Sequence, residues 1–451
     1  MKLLIILLSL LIIFSKIVIA QEEHSFDLSE IEKKPYHIGG YLEIRPVLFS
    51  LDKDSSLYKL RFYNRNEGDT VEEYNFTIQL DGSYEKGIFK LYAKINTDFK
   101  ESYLGWSEET DLFEGYLSLK PSSSLTLEIG KKTLKWGKGY AWNPIAFVDR
   151  IKDPDDPELT LEGYIVASAD YIKSFDGHLK TFSFTPVLVP VYDHTNSDFG
   201  RIDHLNFAGK LYFLLYDTDI DFIFLGGGSK TKRYGIDFSR NITTNLEIHG
   251  EFALFNNYKK VFINRTGNIF TTEYDATSYL IGVRYLTSLD TTFILEYYHN
   301  GTGFSKSATK DYFSFIDESY NSYNSPGDDS EYTSDTEPGS TAYNSYGDDS
   351  LLKMASHIAK EDYGSMNPMR DYLYLRISQK EPFNILYLTP AITGIFNIKD
   401  KSLSLSSELL YNAITNLELR LKTSFIIGDT DTEYGEKQND YRVELRVRYY
   451  F

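Results

Sequence analysis

Charged side chains recur at every second position of several extended segments in this chain. The segment 441–451 shows the pattern most clearly, because one of its two parities is apolar and ends at Phe451. The other parity carries Arg442, Glu444, Arg446 and Arg448. Since side chains of an extended strand alternate between its two faces, we expect one face to be apolar and the other to place charges where they can attract or repel ions in water.

The same alternation in other segments assigns a larger set of charges to the face opposite the apolar one. Charges of mixed sign are costly to bury without water, so we expect this face to line a wet lumen. The predicted pore-lining residues are Lys59, Arg61, Lys90, Lys94, Lys210, Arg284, Arg376, Arg420, Lys422, Arg442, Arg446, Arg448, Glu247, Glu296 and Glu418, with Glu114, Glu128, Glu251, Glu408 and Glu444 as further inward acids. Basic residues outnumber acidic ones in this set, which favours a mild anion preference. The alternative is that these charges pair between strands and select nothing.

A second group of charged residues lies in a segment rich in glycine, lysine and tryptophan. The residues that we predict to narrow a pore are Lys135, Trp136, Lys138, Tyr140, Trp142, Asp149 and Arg150. Glycines permit tight backbone bends, and opposed charges at a constriction filter ions. The alternative is a loop at the rim, with both tryptophans in an aromatic belt.

Signals for catalysis, cofactors and metals are weak in this sequence. There is no Cys, and zinc-protease, serine-hydrolase and phosphate-binding motifs do not occur. His249 lies between inward positions Glu247 and Glu251 and is better explained as a hydrogen-bonded wall residue than as an acid–base or metal cluster. We therefore predict no catalytic residue, no cofactor and no metal, although a hydrolase with distant catalytic residues stays open. A net charge of −18 makes nucleic acid an unsuitable partner.

The elements that would position these residues are strands joined alternately by short and long connections. The aromatic content of 16%, with 37 Tyr, suits two membrane–water interfaces. Counting back from Phe451 gives about 18 strands, with about 16 or 20 as alternatives. The count takes 57–65 as the first strand and leaves 38–49 as a plug or an extra strand. A short helix is expected at 351–361.

The closing segment, with Tyr449 and Phe451 as its last apolar positions, resembles the final strand of Gram-negative outer-membrane β-barrels. The layout as a whole resembles that of general porins. The resemblance implies an all-β, antiparallel up-and-down transmembrane barrel with tight periplasmic turns and long outer loops. It also implies that a third outer loop, 132–161, folds into the lumen, where basic loop residues face acidic ones. Those residues are Lys135, Lys138 and Arg150 on one side and Asp149, Asp153, Asp155 and Asp156 on the other.

Further partners follow from the same resemblance. Tyr449 and Phe451 would be the signal for the barrel-assembly machinery, the outer face would contact outer-membrane lipid and lipopolysaccharide, and small hydrophilic solutes would pass through the lumen. A homo-oligomer is compatible with the sequence but not required by it.

The ends and the longest connection divide the chain into parts. Segment 1–20 has a charged start and an apolar core that Lys16 interrupts, which predicts a secretory signal cleaved after Ala20 rather than a membrane anchor. Segment 21–56 would be a periplasmic lead-in or an extra strand, and 57–451 the barrel. Within the long outer loop 300–371, the acids from Asp317 to Asp349 occur without Lys or Arg, which predicts a mobile, solvated segment. Weak binding of calcium or of a partner is the alternative there.

These observations lead to an outer-membrane channel for passive diffusion of small hydrophilic solutes. The alternative from another class is a receptor or scaffold barrel that does not conduct and that contacts a partner through its acidic loop.

Overall fold

A computed structural model describes residues 34–325 and 348–451 of the chain. These residues form one 18-stranded antiparallel sheet, and its first strand pairs with both the second and the last, which closes the sheet into a barrel. The predicted signal sequence 1–20, residues 21–33 of the lead-in and the centre of the acidic loop lie outside the described residues.

The strands follow one another around the barrel in chain order. They are β1 Tyr36–Leu51, β2 Thr70–Lys86, β3 Phe89–Ser102, β4 Gly105–Ser122, β5 Leu125–Lys132, β6 Tyr164–Ser174, β7 Leu179–Val191, β8 His204–Leu215, β9 Thr218–Gly226, β10 Arg233–Thr243, β11 Leu246–Ile263, β12 Ile269–Leu286, β13 Thr291–His299, β14 Asp371–Gln379, β15 Leu388–Asn397, β16 Leu403–Ile414, β17 Leu417–Ile427 and β18 Asn439–Tyr450. The predicted fold class, strand number and alternation of short and long connections are confirmed. At one end, which we call periplasmic, every connection except 380–387 has two to four residues. At the other, outer end the connections are longer, except between β3 and β4, where two residues form the turn.

The first predicted strand is wrong. The barrel begins with β1, so 38–49 is part of the wall, and 57–65 contains helix α1 (Ser56–Phe62) instead of a strand. Apolar residues at alternate positions of this segment fit a strand, but two of them are also spaced as in a helix. Tyr58 and Phe62 stack with their rings 4.7 Å apart, and the Ser55 hydroxyl accepts a hydrogen bond from the Tyr58 N–H and caps the helix.

Other predicted loops differ from the structure at the outer end. Segments 98–110 and 255–276 were expected to be loops, but β3, β4, β11 and β12 continue through them as long hairpins. The long loop contains helix α2 (Lys306–Asn324), which was not predicted, and helix α3 (Ser350–Ile358), where a short helix was expected. Most residues of α2 are polar, so the sequence pattern did not indicate that this helix has an apolar side. That side is buried and packs with α1 and α3 around Phe304 and Tyr363.

The two faces of the sheet differ in chemistry. Large apolar side chains on the outer face are exposed, among them Leu91, Ile281, Ile392 and Phe425. Charged and hydrogen-bonded side chains lie on the inner face, together with apolar clusters that pack against a loop described below. Closure leaves no unpaired strand edge, so the apolar belt of a sheet of this kind can contact lipid.

None of the helices in the described parts of the chain is long and apolar enough to cross a membrane.

Candidate functional site

Residues 133–163, which join β5 to β6 and are called the crossing loop here, pass through the inside of the barrel. The loop leaves the wall after Lys132 and returns to it at Tyr164, yet its side chains contact β16, β17 and β18. Those strands lie well away from β5 and β6 in the circular strand order. The crossing loop therefore reaches across the lumen and narrows it.

Glu251 on β11 and Glu296 on β13, called the carboxylate anchor here, hold the first half of the crossing loop. Glu251 accepts hydrogen bonds from the N–H groups of Lys138 and Gly139, both at 2.6 Å. Glu296 accepts from the N–H groups of Tyr140 at 2.5 Å and Ala141 at 2.9 Å. Both carboxylates are buried. They are stabilised by several backbone donors rather than by a cation alone.

Glycine lets the loop approach the carboxylate anchor this closely. Gly137 has φ +102°, a conformation that side-chain-bearing residues rarely adopt, and a Cβ there would meet the Glu251 carboxylate at 2.8 Å. At Gly139 a Cβ would lie 2.0 Å from the carbonyl oxygen of Trp142. The glycines of this segment thus have a specific geometric role.

Four cations on the inner wall, called the basic strip here, hold the tip of the crossing loop. They are Arg420 and Lys422 on β17 and Arg442 and Arg446 on β18. Asp155 pairs with Lys422 and Arg442, each at 2.7 Å. Asp156 pairs with Arg420 at 3.2 Å and Arg446 at 2.9 Å. Two adjacent loop carboxylates therefore neutralise much of the most basic part of the wall.

The protonation of these loop carboxylates follows from their surroundings. Burial raises the pKa of Asp156, but the attraction of Arg420 and Arg446 outweighs it and lowers the pKa to about 2. The same balance, with Lys422 and Arg442 as the cations, lowers the pKa of Asp155. Both carboxylates are therefore ionised at neutral pH, when their attraction to the basic strip is strongest.

Apolar packing also attaches the crossing loop to the wall. Ile145 and Phe147 are buried in a cluster with Val187 and Val189 on the inner face of β7. Trp142 stacks on Tyr298 with ring centroids 5.1 Å apart. The inner wall is thus apolar where Ile145 and Phe147 pack on it. Trp136 and Trp142 lie inside the barrel and not in a belt at the rim.

The predicted pairing within the constriction is wrong. Asp149 accepts hydrogen bonds from backbone N–H groups of its own loop, at Leu134, Lys135 and Trp136. Lys138 pairs with Asp221 on β9 at 3.1 Å, and Arg150 pairs with Glu162 at 2.7 Å. The loop cations do not face Asp155 and Asp156, because the wall supplies closer and more numerous cations to those two carboxylates.

Most predicted pore-lining residues lie on the inner face of the strands. Pairs between neighbouring strands include Lys94 with Glu114 at 3.4 Å and Arg376 with Glu408 at 3.0 Å. Lys90, Lys210, Arg284, Arg448, Glu247 and Glu418 lie on strand positions of the same inner parity. Lys59 and Arg61 are exceptions. They lie on α1 at the outer end, where Lys59 pairs with Asp317 at 2.9 Å and Arg61 donates to Gln438 at 3.1 Å.

The residues predicted as an assembly signal lie at the seam of the barrel. Tyr449 is opposite Leu42 of β1 and Leu417 of β17. The Phe451 N–H donates to the carbonyl oxygen of Gly40 at 3.1 Å. The closing segment is thus hydrogen-bonded to β1 as far as Phe451, the last residue of the sequence. Recognition of this segment by an assembly machinery stays a prediction.

A cavity of 470 Å³ lies between the crossing loop and the wall. Its basic lining residues are Lys94, Lys135, Lys138, Arg150, Lys152 and Arg284, and its acidic ones are Glu114, Asp149, Glu158 and Glu247. Most of these charges already have partners. Lys135, Lys152 and Arg284 have no ion pair within the described parts of the chain. The Lys152 ammonium donates to the carbonyl oxygens of Gly139 and Tyr140, so the charges of Lys135 and Arg284 are the ones most available to a solute.

Sequence reasoning missed the acids that hold Lys138. Asp221 on β9 and Asp237 on β10 are opposite each other, and Asp237 is opposite Glu251, which makes a row of three inner-wall carboxylates. Alternation of charge in 219–226 was the available signal, but the apolar residues on both faces of β9 obscured it. In residues 34–325 and 348–451 no group of three side chains is placed to hold a metal ion. His249 instead bonds to Glu296, with Nε2 2.8 Å from the carboxylate.

Comparison with known proteins identifies solved structures that have the same fold. No family model and no curated protein matches the sequence. The outer membrane protein opdK from Pseudomonas aeruginosa matches with a TM-score of 0.50 and 11% identity, over 92% of this chain and 98% of that one. OccK2 (OpdF) from Pseudomonas aeruginosa, solved in complex with glucuronate, matches with the same score, identity and coverage. At this identity the likeness shows the fold alone, and that fold is an outer-membrane β-barrel.

Proposed function

We propose that this outer-membrane barrel is a channel for passive diffusion of small hydrophilic solutes, with the crossing loop as its constriction. The observation that supports the proposal most directly is the fixation of the loop on two separate parts of the inner wall. A loop held on both sides narrows the passage without depending on a moving part. The cavity of 470 Å³ beside it is large enough for a small solute and its water.

A mild anion preference is the finer part of the proposal. It originates in the cavity and not in the whole wall, because Asp155 and Asp156 neutralise much of the basic strip. The cations that remain available are Lys135 of the crossing loop and Arg284 of β12. OccK2, which has the same fold, was solved with glucuronate, an anion of suitable size.

The mechanism needs no covalent chemistry. Solutes that are too large are excluded at the crossing loop. The unpaired cations beside the loop then favour anionic solutes over cationic ones. The acid-and-base pairs elsewhere on the wall contribute little net field at a distance, because the opposite charges of each pair cancel and salt screens them within about 10 Å.

Conductance of the purified full-length chain in planar lipid bilayers tests the channel. We expect ohmic single-channel steps, and a folded barrel that never conducts would favour the receptor or scaffold alternative. The reversal potential in a salt gradient tests the finer claim. A preference for anions is expected, and a preference for cations would contradict it without affecting the channel itself.

A further inference from the structure

The connection between β14 and β15, residues 380–387, differs from all other connections at the periplasmic end. It has eight residues, whereas the others have two to four. Its large apolar side chains are exposed, with Phe383 at 95%, Leu386 at 60%, Tyr387 at 54% and Ile385 at 49%. Leu289 of the adjacent turn is exposed to 73%. These residues, called the apolar turn here, form a patch that nothing in the described chain covers.

Hydrogen bonds to both neighbours hold the apolar turn in one shape. The Lys380 N–H donates to the carbonyl oxygen of Asp290 at 3.1 Å, and the Asn412 N–H donates to that of Tyr387 at 3.1 Å. Inside the turn, Glu381 and Phe383 have φ of 50° and 55°, a left-handed conformation that is unfavourable for both residue types. A frayed loop would relax from this conformation. The exposure of Phe383 is therefore a consequence of a defined structure.

The apolar turn continues the lipid-facing belt of the barrel. Leu375 on β14 and Ile392 on β15 are exposed apolar residues of that belt. The two strands have 9 and 10 residues, close to the minimum length that a tilted strand needs to cross a membrane. The turn that joins them thus begins where the hydrocarbon region ends. Contiguous exposed apolar surface of this kind marks a binding surface.

We propose that the apolar turn lies in the headgroup region of the periplasmic leaflet and inserts Phe383 and Leu386 between lipid chains. Lipid is the occupant that the geometry favours, because the patch continues the exposed apolar outer face of the barrel. Lys380 at the start of the turn is suitably placed for an anionic headgroup. The turn then stabilises the barrel at two of its shorter strands, independently of any conduction.

The absence of cysteine from the chain permits a direct test. Single variants Phe383→Cys and Leu386→Cys are spin-labelled and the full chain is reconstituted in vesicles of phosphatidylethanolamine and phosphatidylglycerol. Electron paramagnetic resonance then measures collision of each label with oxygen, which is concentrated in lipid, and with a water-soluble nickel chelate. Ile392→Cys on the belt and Ser123→Cys in a polar turn at the same end are the two references. Heat-modifiable migration on gels verifies that each variant is folded.

We expect the labels at 383 and 386 to collide severalfold less with the nickel chelate than the label at 123, and to approach the behaviour of the label at 392. Collision with nickel equal to that at 123 would overturn the proposal. So would a label that is open to water in vesicles but shielded in intact cell envelopes, since a periplasmic protein would then cover the turn.

Discussion

The crossing loop meets the barrel wall in two opposite ways. At the carboxylate anchor the wall supplies the acids, and the loop contributes backbone N–H groups. At the basic strip the wall supplies the cations, and the loop contributes the side-chain carboxylates of Asp155 and Asp156. The loop is thus attached to an acidic part of the wall at one place and to a basic part at the other.

The difference indicates separate roles for the two attachments. Backbone donors are present whatever the loop side chains are, so the carboxylate anchor depends on the path of the chain at Gly137 and Gly139 and fixes the position of the loop. The ion pairs at the basic strip depend on two loop side chains alone. They set how much positive charge the lumen retains.

The largest effect is expected from removing the charge of the carboxylate anchor. In Glu251→Gln the buried N–H donors of Lys138 and Gly139 lose their charged acceptor, at a cost of about 2–4 kcal/mol. The first half of the loop should detach, which raises single-channel conductance and noise and lowers thermal stability. Glu418→Gln, whose carboxylate accepts only from the Tyr450 hydroxyl among the described contacts, is the matched control. Unchanged conductance in Glu251→Gln would mean that the anchor does not position the loop.

A smaller rise in conductance, with a larger change of selectivity, is expected from the basic strip. In the double variant Asp155→Asn/Asp156→Asn, all four wall cations lose a loop carboxylate while the carboxylate anchor still holds the loop. Lys422 and Arg442 then have no ion pair among the described residues, whereas Arg420 keeps Glu408 and Arg446 keeps Glu444. Anion preference in a salt gradient should increase markedly. Asp153→Asn is the control, because Asp153 accepts from the Asp155 N–H inside the loop and does not touch the strip. A double variant with the ion preference of the wild type would remove the proposed role of these aspartates.

Acid should reproduce that double variant. The pKa of Asp156 lies at about 2, below its usual 3.8, so the free energy that its ion pairs contribute is present above pH 3.8 and is lost as the pH falls toward 2. We expect constant selectivity from about pH 7 to about pH 4 and an increasing anion preference as the pH falls from there toward 2. The Asp155→Asn/Asp156→Asn variant should lack this acid response. If it responds like the wild type, other groups cause the change.

The smallest effect is expected from the cations left free in the cavity. Lys135→Gln and Arg284→Gln each remove one charge that has no ion pair in the described parts of the chain. Each should shift the reversal potential toward zero, the value of a channel without ion preference. Little change in stability is expected, since an exposed charge contributes about 0–1 kcal/mol to the free energy of unfolding. Lys90→Gln, on the same inner face but outside the cavity lining, is the control. Equal shifts in all three variants would place the selectivity in the whole wall and not in the cavity.

Much of the fold was predictable because its signal is local. Alternation of apolar and charged residues assigned faces to strands such as β17 and β18 and placed Arg420, Lys422, Arg442 and Arg446 on the inner face, whereas the inner-wall acids Asp221 and Asp237 were missed. The exceptions were segments whose period is ambiguous. Tyr58 and Phe62 fit a strand because they lie at alternate positions, and they also fit a helix because they are four residues apart. Packing of this segment against the neighbouring helices stabilises the helix.

The sequence by itself determined the barrel, its strand number and a charged lumen, because a period of two and the lengths of connections are properties of neighbouring residues. The inward path of the loop was only implied by the resemblance to porins, with a loop at the rim as the alternative. Only the tertiary structure decided which charges meet. Asp155 pairs with Arg442 at a sequence separation of 287, and Glu251 accepts from Gly139 at a separation of 112. Closure of the sheet brings such residues together, and no local pattern encodes that distance.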